Sequence, residues 1–404
     1  MNYGLLGEHL SHSYSPRIHK EFGDYAYGLY EVAPEDLDAF LKQGDFRGLN
    51  VTIPYKKAVM SYCTELSETA KAMGCVNTLI RREDGSLYGH NTDCGGFALM
   101  LERMGGPIPG AKALVLGTGG AAGTVTQVLC RGGMEVVQIS RSGVDNYSNY
   151  DRHADAKLLV NATPVGMYPN NGNSPVDLRK LPNLTVVLDL IYNPCRTQLL
   201  LDAEKLGIPR EDGLSMLVAQ AMEAAELFTG KKTPMEHLEK VLRTLRGEMG
   251  NLILIGMPGS GKSTVGKALA ERLGRNFADS DEEIVKRIGS IPEYFANYGE
   301  EAFRKVETEV LGELGKRSGL VIATGGGAVT REENYPLLHQ NGTIIRLHRD
   351  LDLLPTEGRP LSQRQSLEAM FAKRDPLYRT FADVEIKNSS TVEDTVEQIM
   401  EKCL

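Results

Sequence analysis

The chain has 404 residues, 41% of them hydrophobic and 24% charged, with a formal net charge of −8. That length holds two or three domains with sizeable cores, and the composition is that of an ordinary globular protein. The acidic balance argues against nucleic acid or an anionic membrane surface as partner. No apolar run approaches the roughly 18 residues of a spanning helix, and the N-terminus does not read as a signal peptide. The six cysteines are scattered with no C-x-x-C pair. We therefore expect reduced thiols and a cytoplasmic setting, not a disulfide framework or a zinc site.

In chain order, Tyr3–Gly7 reads as a short strand. Ser11-His-Ser13-Tyr-Ser15-Pro16 follows, with a helix expected from Arg17. Pro16 suits a first helical turn and Ser15 an N-cap, yet capping explains one serine and three stand within five residues. The others read as hydroxyls offered to a polar ligand. Gly48-Leu-Asn-Val-Thr52-Ile53 is strand-like and meets Pro54-Tyr-Lys56-Lys57 at an expected helix start, where lysines oppose the helix dipole. Asn77 and Asp93 fall at strand ends or turns, where polar side chains converge on sites, although Asp93 also suits an N-cap.

Lys112-Ala-Leu-Val-Leu-Gly117 reads as a buried strand. The run Gly117-Thr118-Gly119-Gly120-Ala121-Ala-Gly123 opens a helix after it, a variant of the dinucleotide fingerprint in its proper strand-to-helix context. The next strand, Glu135–Ile139, ends in Ser140-Arg141-Ser142. An arginine between two hydroxyls suits the 2′-phosphate of NADP, where an NAD site would prefer an acidic residue. Leu158–Asn161 and Val186–Asp189 run from apolar to polar, as parallel strands do where ligands bind.

Eight motifs of this half stand in one order: HSYSP, NVTIPYK, GCVNTL, HNTDCGG, GTGGAAG, NATPVGM, DLIYNP and DGLSMLVAQA. Together they resemble shikimate dehydrogenase across residues 1 to about 245. The resemblance implies NADPH-dependent reduction of 3-dehydroshikimate to shikimate on a two-lobe fold. An α/β shikimate-binding lobe (1–105 and 213–246) would flank a Rossmann NADP lobe (106–212). It makes Lys56 and Asp93 the catalytic pair. Ser13, Ser15, Thr52, Asn77, Asp93, Tyr192 and Gln220 would hold the substrate. Gly117, Thr118, Gly119, Gly120, Ala121, Ser140, Arg141, Ser142, Ile191 and Gly213 would hold NADP. Two positions depart from the family pattern: Cys75 replaces the usual alanine, and Ser-Arg-Ser lacks a second basic residue soon after it.

An amphipathic helix is expected over Met235–Leu245, then a short hinge, Arg246-Gly-Glu-Met-Gly250. Beyond it, the apolar run Asn251–Ile255 leads into Gly256-Met-Pro-Gly-Ser-Gly-Lys262-Ser263 and a helical pattern from Thr264. Strand, G-x-x-x-x-G-K-S loop and helix in succession make a phosphate site. Backbone N–H groups wrap the anion, the helix start adds its dipole, Lys262 reaches the terminal phosphates and Ser263 coordinates Mg²⁺. The pair Asp279-Ser-Asp281 reads as a strand end with both carboxylates on one side. Arg304 and Glu307 share a helix face and read equally as a surface ion pair of about half a kcal/mol. Thr324 runs into Gly325-Gly-Gly327, where a ligand must approach bare backbone. Arg346–Arg364 reads as a lid carrying Gly358-Arg359-Pro360-Leu361, and Arg374 sits on a helix flank.

These stretches resemble shikimate kinase from about 250 to 404, a P-loop α/β domain with a parallel sheet. The resemblance assigns Gly259, Ser260, Gly261, Lys262, Ser263, Thr264 and Arg359 to ATP, and Ser263 and Asp279 to the metal. Asp281, Arg304, Gly326, Gly327 and Arg374 would hold shikimate. Asp281, Lys262 and Arg359 would be catalytic. Here the region before Arg359, Leu353-Leu-Pro-Thr-Glu-Gly358, lacks the further arginine that the family packs on adenine.

The reading is a fused enzyme for two consecutive steps of aromatic amino acid biosynthesis, a monomer or homodimer, using NADP(H), ATP and Mg²⁺. Its substrates would be 3-dehydroshikimate and shikimate, with no nucleic-acid or membrane partner. The rivals are a dehydrogenase that also takes quinate, and a chain in which one half only binds ligand.

Overall fold

The computed structural model describes residues 3–10, 13–353 and 367–404. The chain forms two compact units. Unit 1 comprises Met1–Gly166, Asn173–Tyr192 and Asp202–Thr244, and unit 2 comprises Met167–Gly172, Asn193–Leu201 and Leu245–Leu404.

Unit 1 contains two sheets. The first is built from β1 (Tyr3–Gly7), β2 (Tyr27–Glu31), β3 (Gly48–Val51), β4 (Glu65–Leu66), β5 (Thr78–Arg81) and β6 (Leu87–His90), in the order β2-β1-β3-β5-β6-β4. It is mixed: β1 runs parallel to β2 and β3, whereas β5 is antiparallel to β3 and β6. Leu6, Leu49, Val51, Val59, Val76 and Leu79 form its core.

The second sheet is parallel: β7 (Lys112–Leu116), β8 (Glu135–Ile139), β9 (Leu158–Asn161), β10 (Val186–Asp189) and β11 (Arg210–Glu211), in the order β11-β10-β9-β7-β8. The central strands are apolar nearly throughout because helices cover both faces of such a sheet. Helices Asp93–Glu102 and Leu214–Thr229 pack against each other beside it.

Unit 2 is organised on β12 (Asn251–Ile255), β13 (Phe277–Asp279), β14 (Val321–Ala323), β15 (Gly342–His348) and β16 (Val384–Lys387), all parallel in the order β13-β14-β12-β15-β16. Every residue of β12 is buried. The polar residue at its start, Asn251, is satisfied: its amide donates to the Arg317 carbonyl at 2.7 Å and its oxygen accepts from Leu320 N–H at 2.8 Å. Leu254, Val265, Leu269 and Ile345 pack on one face of the sheet, and Ile253, Ile322, Leu311 and Phe303 on the other.

The expected hinge at 246–250 is not present. Helix Met235–Met249 continues through it, and Gly250 alone precedes β12. Leu245 and Met249 are both buried, so the apolar face is kept across Gly247. Arg275 donates to the Gly247 and Gly250 carbonyls, partnering groups that a helix end otherwise leaves open. The helix expected at Gly299–Lys316 lies in a longer element, Ile291–Gly315, broken at Gly299, where φ is 79°.

Candidate active sites

In unit 1, Lys56 Nζ donates to Asp93 Oδ2 at 2.6 Å. Lys56 stands in a turn ahead of a 3-10 helix, Ala58–Tyr62, so it does not oppose an α-helix dipole as the sequence suggested. Asp93 is the first residue of helix Asp93–Glu102, not its cap, and its N–H donates to Asn91 Oδ1 at 3.1 Å. Burial disfavours the charge on Lys56, but the Asp93 carboxylate outweighs it and holds the ammonium above the usual lysine range. Cys75 borders the pair: its Sγ accepts from Asn91 Nδ2 at 3.2 Å, and burial pushes its thiol up.

Beside this pair lies a buried polar network. Asn77 Nδ2 donates to Thr92 Oγ1 at 3.0 Å, and Asn77 Oδ1 accepts from Thr92 N–H at 2.8 Å. Thr92 Oγ1 reaches Gln220 Oε1 at 3.4 Å, tying the helix Leu214–Thr229 to the first sheet. Asn50 continues the network to Thr78 at 3.2 Å and accepts from Tyr27 at 2.8 Å. Thr92, Asn50 and Tyr27 were not singled out by the sequence reading. Their signal is the adjacency of Thr92 to Asp93.

Ser13 and Ser15 meet: Ser15 N–H donates to Ser13 Oγ at 3.2 Å. Ser15 begins helix Ser15–His19 instead of capping it; Tyr14 stands at the cap without a side-chain bond. Tyr192 packs edge-on against Tyr14, with centroids 6.0 Å apart. Thr52 N–H donates to the Leu6 carbonyl at 2.9 Å, holding the end of β3 beside β1.

At the second sheet, helix Gly120–Arg131 starts after Gly119, so the glycine run presents a helix N-terminus at the end of β7. Ser140 Oγ donates to the Ser142 carbonyl at 2.7 Å, and Arg141 is exposed. The nearby carboxylate, Asp145, is engaged by Arg152 and by His153 at 2.5 Å. Buried Asp189 accepts from Asn161 Nδ2 and from Ile191 N–H, each at 3.0 Å, fixing the ends of β9 and β10. Gly213 N–H donates to the Ile191 carbonyl at 3.0 Å. A Cβ on Gly213 would lie 2.0 Å from the Leu190 carbonyl oxygen, so only glycine passes there.

In unit 2 the sequence-selected residues surround one cavity of about 750 Å³ at the carboxyl ends of the strands. Its wall includes Gly259, Gly261, Lys262, Ser263, Thr264, Asp279, Asp281, Arg304, Gly326, Gly327 and Arg374. Lys262 begins the helix Lys262–Leu273 and donates to the Gly256 and Met257 carbonyls at 2.9 and 3.0 Å. Ser260 is buried beneath the loop, where its carbonyl accepts from Asn388 Nδ2 at 2.7 Å. Ser263 Oγ donates to Asp279 Oδ2 at 2.6 Å. Hydroxyl and carboxylate therefore meet at the loop, the oxygen donor set that Mg²⁺ takes alongside phosphate and water.

The D-x-D is not two positions of one strand. Asp279 ends β13 and caps helix Ser280–Ile288, accepting from Asp281 N–H at 2.9 Å, while Asp281 lies inside that helix. Asp281 is exposed to the cavity, where partial loss of water and repulsion from Asp279 and Glu307 act on its carboxyl. Its pKa is raised to about 6, against the pull of Lys262 and Arg304.

Arg304 and Glu307 are not a surface pair. They are 5% and 1% exposed, with Arg304 Nη1 donating to Glu307 Oε2 at 2.7 Å. Arg304 also reaches Glu300 at 3.1 Å. Arg374 lies within helix Leu367–Phe381, and its Nη1 donates to the Gly326 carbonyl at 3.1 Å. Tyr378, one turn on, donates to the same carbonyl at 2.5 Å. The sequence reading passed over Tyr378, Asn388 and Arg349, which also lines the cavity. Arg359 and most of the expected lid lie outside the described residues.

Comparisons with known proteins show which families the chain resembles. The family model for the shikimate dehydrogenase substrate binding domain matches residues 5–79, that for the shikimate 5′-dehydrogenase C-terminal domain matches 213–243, and that for shikimate kinase matches 258–404. A protein named shikimate dehydrogenase (NADP(+)) from Methanopyrus kandleri is 39% identical over 278 residues, 60% of this chain and 95% of its own length. A chorismate mutase/shikimate 5-dehydrogenase fusion protein from Clostridium acetobutylicum is 37% identical, with a TM-score of 0.57 over 60% of this chain and 96% of that one. The Thermus thermophilus shikimate 5-dehydrogenase, solved with NADP(H) and shikimate, is 32% identical with a TM-score of 0.55, covering 60% and 99%. The chain thus belongs to the shikimate dehydrogenase family, and it carries a shikimate kinase domain fused behind that dehydrogenase.

Proposed function

We propose that unit 1 reduces the ring ketone of 3-dehydroshikimate with NADPH, and that unit 2 phosphorylates the 3-hydroxyl of the resulting shikimate with ATP. The observation that carries this reading is the convergence of each motif set within one unit: Lys56 on Asp93 in the first, and the glycine loop, Asp281 and two arginines around one cavity in the second. We assign residues 1–105 and 213–246 to shikimate binding by the dehydrogenase, 106–212 to NADP, and 250–404 to the kinase.

In the dehydrogenase, NADPH supplies a hydride to the carbonyl carbon. The Lys56 ammonium donates a hydrogen bond to the carbonyl oxygen and then the proton that makes it a hydroxyl. Asp93 keeps that ammonium charged and oriented. Ser13, Ser15, Thr52, Asn77, Tyr192 and Gln220 offer hydroxyl and amide groups to the substrate's hydroxyls and carboxylate. Ser140, Arg141 and Ser142 would hold the 2′-phosphate of NADP, and Gly117, Thr118, Gly119, Gly120, Ala121, Ile191 and Gly213 the rest of the dinucleotide. The engagement of Asp145 by Arg152 and His153 supports NADP over NAD, because that carboxylate is not free for a ribose hydroxyl.

In the kinase, Ser263 and Asp279 would hold Mg²⁺, which would supply neutralisation of phosphate charge. Asp281 accepts the proton of the attacking hydroxyl. Arg304 and Arg374 hold the substrate carboxylate as guanidinium forks do, with Gly326 and Gly327 close beneath the ring. Gly259–Thr264 cradle the phosphates, and Lys262 leaves its loop carbonyls for the terminal ones. Arg359 keeps its sequence-based assignment to the transferring group. All six cysteines are free, which supports a reducing compartment such as the cytoplasm.

The test is incubation of the whole chain with 3-dehydroshikimate, NADPH, ATP and Mg²⁺, with products followed by mass spectrometry. Shikimate 3-phosphate is expected. Accumulation of shikimate without phosphorylation would overturn the kinase half, and unconsumed 3-dehydroshikimate the dehydrogenase half.

A further inference from the structure

Among the described residues, four cationic side chains line the unit 2 cavity: Lys262, Arg304, Arg349 and Arg374. Three already have work. Lys262 lies on the glycine loop, Arg304 is held by Glu307, and Arg374 is tied to the Gly326 carbonyl. Arg349 is the fourth, and its Nε is enclosed with no hydrogen-bond partner among the described residues. A guanidinium whose donor is shut away from water without a partner is costly unless a ligand completes it.

The sheet order says which ligand. All five strands are parallel, so their carboxyl ends share one edge. Most acceptor groups come from one flank of the glycine loop: Asp281 follows β13, Arg304 lies on the helix between β13 and β14, and the triple glycine follows β14, while Arg374 returns to the Gly326 carbonyl from a later helix. Arg349 follows β15, which lies on the other side of β12. A nucleotide whose terminal phosphate faces the acceptor must extend its remaining length toward that other flank. The nine residues that follow Arg349 carry no cation, reading Asp-Leu-Asp-Leu-Leu-Pro-Thr-Glu-Gly over 350–358, and Arg346 before it is held by Asp375 and Glu385.

We propose that Arg349 binds the nucleotide of the kinase reaction, from the end of β15, and takes no part in holding shikimate. This rests on the kinase reading of unit 2. A guanidinium there offers forked hydrogen bonds to phosphate oxygens and a flat cation to a base.

The experiment measures Mg-ADP and shikimate affinities separately, by calorimetry on the full chain, for Arg349→Gln and Arg349→Lys. Arg349→Gln is expected to weaken Mg-ADP about tenfold or more, as loss of a charge-assisted pair does, with shikimate affinity within about twofold. Arg349→Lys is expected to recover part of the loss. Retained shikimate binding also shows that the cavity is folded. An unchanged Mg-ADP affinity, or a loss of shikimate affinity as large as that of Mg-ADP in both variants, overturns the assignment. Repeating the measurement with Mg-GDP locates the contact: equal losses place it on phosphate, unequal losses on the base, and both support nucleotide binding. Wild-type turnover of shikimate with ATP tests the kinase reading independently, so its failure is distinguishable from failure at Arg349.

Discussion

A carboxylate serves as a general base only if it is ionised at working pH and still basic enough to take a proton. Asp281 meets both conditions because loss of water, then Asp279 and Glu307, raise its pKa to about 6. Below that pH it carries the proton it would otherwise accept. The kcat/KM of the kinase for shikimate is therefore expected to climb about tenfold per pH unit up to about 6 and then level. Asp281→Asn should remove that limb with most of the activity, and a wild-type profile flat between pH 5 and 7 would exclude Asp281 as the base. The same shift has a cost in stability. Because the folded carboxyl binds its proton more tightly than the unfolded one, its contribution falls as pH rises from the ordinary 3.8 through about 6. Ligand-free Asp281→Asn is accordingly expected to be more stable than wild type at pH 8.

At the scale of the element, the loop after β14 shows how close packing selects sequence. A Cβ on Gly327 would stand 2.1 Å from Arg304 Nη1. Glu307 and Glu300 hold the Arg304 fork, so making room would shift it from those partners and into the cavity it lines. Gly327→Ala is expected to raise the KM for shikimate by roughly tenfold or more while Mg-ADP affinity and dehydrogenase turnover stay near normal. Equal damage to nucleotide binding would mean that the glycines support the whole cavity instead of its acceptor side. This loop was legible in the sequence because strand, glycines and neighbouring helix are local signals. So were the glycine loop at 256–263 and the helix starts at Gly120 and Lys262. The burial of Arg304 and Glu307 was not, because a three-residue spacing is the same on a wet face and a dry one. The continuation of the helix through 246–249 was missed for a related reason. Gly247 and Gly250 read as breakers, but buried Leu245 and Met249, with Arg275 on the carbonyls, offset the roughly 1 kcal/mol that an interior glycine costs. The placement of Arg349 and Asn388 depends on strand order, which no local pattern encodes.

In the whole molecule, the residues of each proposed site come from a single unit. Lys56, Asp93, Asn77, Tyr192, Gly213 and Gln220 all belong to unit 1, whereas Lys262, Asp279, Asp281, Arg304 and Arg374 all belong to unit 2. Neither set of proposed catalytic groups borrows a residue from the other unit, so each chemistry is complete without the other. Lys56→Ala should then abolish reduction and leave phosphorylation of added shikimate near wild type, and Lys262→Ala should do the reverse. An equimolar mixture of the two variants supplied with 3-dehydroshikimate, NADPH, ATP and Mg²⁺ should still make shikimate 3-phosphate. It should do so after a lag, while free shikimate made by one variant rises toward the KM of the other. The lag should shorten as protein concentration is raised and vanish when shikimate is added at the start. A mixture that stays silent although each variant keeps its single activity would require shikimate to pass within one chain. A single substitution that silences both activities in a folded protein would mean that the two sites share a component, against the residue sets assigned here.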